Sequence, residues 1–140
     1  IKGALDGVRW HGGYRSGLGD GSKKNDPKMW RIAAPIEGGN IATRCFIPHV
    51  CNEAIGVLAA VTIGTACVLD GSVTAGIARV PKGNVKTISV EHPTGEFSVE
   101  LGLDPLDSQK VTRAALLRTA RLIMRGEVMV AASVWGGHDK

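Results

Sequence analysis

Hydrophobic and polar residues alternate with a period of two along much of this chain, and the alternation gives way once, to a long uncharged run. Asn40–Ile47 sets Ile41, Thr43, Cys45 and Ile47 against Ala42, Arg44 and Phe46, the signature of a strand. Met29–Ile36 is a second strand candidate, ended by Pro35 and followed by Glu37-Gly38-Gly39, so the two runs predict a hairpin. Ser72–Ala78 is a further strand candidate. Val85–Glu91 and Glu96–Leu103 alternate again on either side of a His92-Pro93-Thr94-Gly95 turn. Asp104–Ser108 is another turn. Lys110–Ala120 fits strand and helix alike, whereas Leu122–Val130, with Arg125-Gly126 inside it, predicts a hairpin. Upstream, Gly3–Leu18 predicts a broken helix and Lys23–Pro27 a connecting loop.

The exception to the alternation is Ala54–Leu69, sixteen residues without a charge. Pro48 stops the preceding strand, Asn52 suits an N-cap, and Glu53 favours a first turn. Asp70-Gly71 supplies a glycine after the last turn. These signals predict a helix from Asn52 to about Leu69. Its apolar residues cover all faces, which predicts burial on every side. The run is shorter than the roughly 20 residues needed to span a bilayer. Gly56, Thr62, Gly64 and Thr65 favour close packing against protein instead. Strands before and after a single buried helix predict an α+β fold, mostly antiparallel strands wrapped around one central helix.

Composition narrows the function classes. With 140 residues, 44% of them apolar, the chain can bury one sizeable core, and 4% aromatics leave that core to Val, Ile, Leu and Ala. The net charge of +4 comes from scattered Lys and Arg with acids between them. No basic stripe with interleaved aromatics is present, so neither nucleic acid nor a membrane is an expected partner. Three cysteines (Cys45, Cys51, Cys67) show no framework spacing, and a reducing, cytoplasmic setting is expected.

Candidate chemistry gathers where the uncharged run begins. His49 has an ordinary pKa of about 6.5, and a Cys51 thiol near a helix N-terminus ionises more readily than a free one. These two are weak acid–base candidates. The backbone N–H groups of Asn52, Glu53 and Ala54 are expected to hold a carboxylate at that helix end. His92, Arg118 and Arg121 are further substrate-binding candidates, because a guanidinium can clamp a carboxylate with two hydrogen bonds. Cys45 and Cys67 belong to the core. A His-x-Cys pair with no second pair nearby makes no convincing metal site, and none is expected.

Three ordered segments carry a resemblance. RCFIPHVCNEAIGVLAAVTIGTACVLDGSV (Arg44–Val73), the His92-Pro93-Thr94-Gly95 turn and RTARLIMRGEVMV (Arg118–Val130) resemble the PrpF-type methylitaconate and aconitate isomerases. The Phe-Ile-Pro-His-Val-Cys wording is closest to the branch containing 4-oxalomesaconate tautomerases. The resemblance implies a diaminopimelate-epimerase-like lobe over residues 28–135. Residues 1–27 would be an N-terminal segment and linker left from a preceding part, and 136–140 a tail. It implies cofactor-free proton transfer on an unsaturated di- or tricarboxylate. The principal acid and base would lie in an N-terminal lobe outside this sequence. The family often carries His near position 52, where this chain has Asn, a group unable to donate a proton in that role. Expected partners are a small carboxylate and that lobe, or a second copy through self-association. The rival expectation is a non-catalytic binding or assembly domain that retains the fold.

Overall fold

The computed structural model describes residues 2–20, 26–47 and 50–135. The chain opens with helix α1 (Lys2–Arg15), which runs unbroken through Gly3, Gly7, Gly12 and Gly13 where a broken helix was expected. Gly17 (φ +73°) ends it, and the Leu18 N–H donates back to the Gly13 carbonyl at 2.9 Å. Six strands follow among the described residues: β1 (Met29–Ala33), β2 (Ile41–Phe46), β3 (Cys51–Asn52), β4 (Val85–His92), β5 (Gly95–Leu103) and β6 (Val111–Leu116). Helix α2 (Val57–Val68) lies between β3 and β4.

The strands form one sheet in the order β1-β2-β4-β5-β6, with β3 paired to β2. The expected β1–β2 hairpin is present, in register from Met29↔Phe46 to Ala33↔Ala42. β4 and β5 form the second hairpin around the 92–95 turn, from Val85↔Gly102 to His92↔Gly95. Only β2 and β4 run parallel, over Ile41↔Val90 and Ala42↔Glu91. The open choice for Lys110–Ala120 resolves as strand: β6 pairs with β5, with a bulge at Gly102/Leu103. This is the α+β, mostly antiparallel architecture expected.

The core is where α2 meets the sheet. Ala60, Ile63, Gly64, Cys67 and Val68 face Ile88, Val90, Val99 and Leu101, all buried. The opposite side of the helix is open: Val57 and Thr62 are exposed and Leu58 is 82% exposed. The helix is therefore covered on one side, not on all. Among the described residues, no helix is long and apolar enough to cross a membrane.

Helix α2 ends at Val68, close to the expected Leu69, but its start and the segment after it differ from expectation. Its N-cap is Gly56, without a side-chain cap, rather than Asn52. Asn52 instead pairs with Cys45 in the β2–β3 ladder, so sheet pairing outweighs its local capping preference. At the other end, the hydroxyls of Ser72 and Thr74 both donate to the Ala66 carbonyl, at 2.5 and 2.8 Å. That capping turns residues 72–78 into successive turns, closed by Ala75 N–H to Ser72 and Ile77 N–H to Thr74, where a strand was expected. The hairpin expected over Leu122–Val130 is also absent. The chain there has no regular structure, and Leu122, Ile123, Met124, Val128 and Met129 are exposed. A two-stranded hairpin without a sheet or helix to pack on is marginal in water.

Two glycines make opposite predictions about stability. A Cβ on Gly64 would lie 3.6–3.8 Å from Val99 and Ile88, which is ordinary contact. Gly64→Ala should therefore raise stability by about 0.5–1 kcal/mol, the helix cost of glycine. A Cβ on Gly39 would lie 2.8 Å from Glu91 Cγ, so Gly39→Ala should displace that side chain and cost about 1–3 kcal/mol. Urea denaturation of both variants checks the pair.

Candidate active site

The N-terminal end of α2 opens onto a groove of about 340 Å³. Its walls come from three places. β1 and the residue before it supply Trp30 and Lys28, the β2–β3 ladder supplies Cys45 and Asn52, and the first turn of α2 supplies Gly56, Val57, Leu58 and Ala59. Cys45 and Asn52 stand directly opposite each other in the ladder, which brings both side chains to one face. The wall is mostly apolar, with polar groups at Lys28, Asn52 and Thr62. The first N–H groups of a helix have no intrahelical partner, and among the described residues no side chain caps them here. A lysine, an amide and a helix N-terminus around an apolar groove suit a small anion with a carbon skeleton.

The thiols divide by environment. Burial pushes the Cys45 thiol up, more than contact with Trp30 and the Lys28 charge bring it down. Burial pushes Cys67 up to about 11. Both are therefore protonated core groups at neutral pH. Cys51 is half-buried in β3, its thiol 3.7 Å from the Asn52 carbonyl. His49 lies outside the described residues.

The other expected residues do not line this groove. Glu53 and Ala54 are exposed and precede the helix, so the N–H groups at its end belong to Val57, Leu58 and Ala59 instead. His92 lines a second groove of about 330 Å³ with Glu37, Glu91 and Glu96. It reaches back to Glu53: its Nδ1 lies 3.2 Å from the Glu53 carbonyl, which also accepts the Thr94 hydroxyl at 2.8 Å. Arg118 stacks over the Phe97 ring, 4.9 Å from its centroid, in a third groove beside Glu96. Arg121 is exposed in the segment after β6. Among the described residues, no group of three or more His, Cys, Asp or Glu is placed to hold a metal ion.

Two residues were not anticipated. Lys28 stands just before β1; it is exposed yet lines the groove, and no periodicity marks it as a site residue. Glu91 falls in the polar phase of β4 yet is only 4% exposed. Its carboxylate accepts the backbone N–H groups of Ile36, Glu37 and Gly39 at 2.8, 2.9 and 2.7 Å. The β1–β2 connection is thereby folded over it. Burial pushes this carboxyl up, but the three N–H donors, with Arg79, outweigh burial and hold it below its ordinary value.

Comparison with known proteins now bears on this geometry. The family model described as "PrpF protein" matches residues 23–131. The chain belongs to the PrpF family. A 4-oxalomesaconate tautomerase of Pseudomonas putida is 43% identical over all of this chain, which covers 38% of that protein. A (4E)-oxalomesaconate Delta-isomerase of Novosphingobium sp. strain KA1 is 47% identical over 93% of this chain, covering 36% of the relative. A crystal structure of methylitaconate-delta-isomerase shares the fold, with a TM-score of 0.73 and 22% identity. That match covers 91% of this chain and 37% of the other. This PrpF-family chain thus spans less than two fifths of the length of the curated relatives it matches.

The Glu91 contact gives a pH prediction. Folding lowers its pKa below the ordinary 4.5, so its contribution is complete above that pH and is lost as pH falls through the lower, folded-state value. Glu91→Gln should cost about 1–3 kcal/mol at neutral pH, because an amide accepts fewer of the three N–H groups. Urea denaturation between about pH 7 and about pH 3 should show a shallower acid slope in the variant than in the wild type.

Proposed function

We propose that this chain is the C-terminal, substrate-holding lobe of an isomerase that moves a proton on an unsaturated di- or tricarboxylate, of the 4-oxalomesaconate or methylaconitate type. The observation that carries this reading is the groove at the start of α2. Lys28, Asn52 and the first turn of α2, which no side chain caps among the described residues, line an apolar cavity there. The names of relatives at 43% and 47% identity support the same substrate class. In this reading Lys28 and the N–H groups of Val57–Ala59 hold one carboxylate. They also favour the negative charge that develops when a proton leaves the neighbouring carbon. The reaction needs no cofactor in this account. The principal acid and base come from the part of the relatives' length that this chain does not span, with His49 and Cys51 as weaker candidates. Glu53, Ala54, His92, Arg118 and Arg121 do not line this groove. The three free thiols suit a reducing, cytoplasmic setting.

The exposed apolar side chains between Leu117 and Trp135 favour a second lobe or a second copy as partner. They are equally compatible with the rival role, a non-catalytic assembly domain.

Proton NMR of 4-oxalomesaconate in D2O separates these readings. The expected result is no deuterium exchange with this chain alone and exchange once the complementary lobe is added. Exchange by the 140 residues alone would move the acid–base role to His49 or Cys51. Silence in both would favour the rival. Lys28→Ala should weaken 4-oxalomesaconate binding roughly tenfold or more, the worth of one charge-assisted contact. Unchanged binding in a titration followed by amide chemical shifts would remove Lys28 from the site.

A further inference from the structure

The Glu53–Gly56 segment decides where the first turn of α2 lies, and little of it is buried. Glu53, Ala54 and Gly56 are exposed; Ile55 is the one buried side chain among them. A single apolar anchor leaves a segment free to pivot. The second anchor is the Glu53 carbonyl, which receives three donors from the β4–β5 turn. The Thr94 hydroxyl donates at 2.8 Å and the Thr94 N–H at 3.2 Å. His92 Nδ1 approaches at 3.2 Å. A carbonyl only accepts, so this contact is a hydrogen bond in the tautomer with its proton on Nδ1. Thr94 Oγ1 lies 3.3 Å from the same nitrogen. The segment is thus fixed at Glu53 by the turn and at Ile55 by the core. One turn later, the Ala60 N–H closes onto the Gly56 carbonyl at 2.9 Å.

We propose that Thr94 is a positioning residue: with His92 it latches the Glu53 carbonyl, and so holds the first turn of α2 in line with the groove. The link to carboxylate binding rests on the function proposed above; the latch itself does not. Thr94 lines none of the three grooves described, and its hydrogen bonds among the described residues run to the Glu53 carbonyl and His92. Thr94→Val removes the hydroxyl while keeping the side chain's shape, and Thr94→Ser keeps the hydroxyl.

Amide hydrogen exchange by NMR on this chain tests the latch. In Thr94→Val the Ala60 amide should exchange about three- to tenfold faster, the effect of one lost neutral hydrogen bond. The Ile88 and Val99 amides of the β4–β5 ladder should be unchanged, and Thr94→Ser should match the wild type. An Ala60 rate identical in Thr94→Val and wild type would overturn the proposal. So would equal acceleration at Ala60, Ile88 and Val99, which would mean general destabilisation. Titration with 4-oxalomesaconate then separates the two claims. Binding by the wild type that weakens severalfold in Thr94→Val and returns in Thr94→Ser supports latch and function together. Binding unaltered by Thr94→Val overturns the positioning role alone. No binding by the wild type counts against the proposed function, and the latch is then decided by the Ala60 rate.

Discussion

The structure depends on the close approach of α2 to the β4–β5 hairpin. Ala60, Gly64 and Cys67 face the sheet with little bulk, and the helix backbone at Gly64 lies where a Cβ would be in ordinary contact with Val99 and Ile88. Burial of Ile63, Val68, Ile88, Val90, Val99 and Leu101 around that contact supplies the main apolar stabilisation of the fold. It also sets the direction of the helix axis. Once the axis is set, the N-terminal turn must emerge beside the β2–β3 ladder, and the groove follows from that placement.

Polar contacts then fix what the core leaves free. The Glu91 carboxylate gathers three backbone N–H groups of the β1–β2 connection, while the Glu91 carbonyl accepts the Thr43 hydroxyl at 2.8 Å. One residue thus joins the first hairpin to the second through both its side chain and its backbone. The next residues, His92 to Thr94, tie the approach to α2 onto the same hairpin. The Glu91 contacts are buried or half-buried, whereas those of His92 and Thr94 are exposed. Exposed ion pairs such as Lys110–Asp104 add little by comparison.

The open side is as informative as the closed one. Leu58 on α2 and the apolar residues beyond Leu116 are exposed in a chain that spans less than two fifths of its relatives. The turn signal in Leu122–Val130, Arg125-Gly126 between two apolar runs, is real in the sequence. Strand formation, however, requires a neighbour to accept its hydrogen bonds, and none is supplied by the described residues.

Local pattern determined much of this protein. Period-two alternation located both hairpins and their turns, because an antiparallel strand with one buried face must alternate wherever it lies. The uncharged run located the central helix, and motif wording located the family. Tertiary structure alone decided where that helix begins. Asn52 caps helices well in isolation, but Cys45 offered it a ladder partner that no local rule can see. Ser72 and Thr74 were likewise drawn from a strand pattern into capping Ala66. The site was legible only in outline. Asn52 reached the groove as a strand residue, and Lys28 became part of it through the pairing of β1 with β2. Glu91 was hidden because its polar phase normally means solvent. It is buried because a loop more than fifty residues away in sequence supplies three N–H donors, and such long-range pairing leaves no periodic trace in the chain.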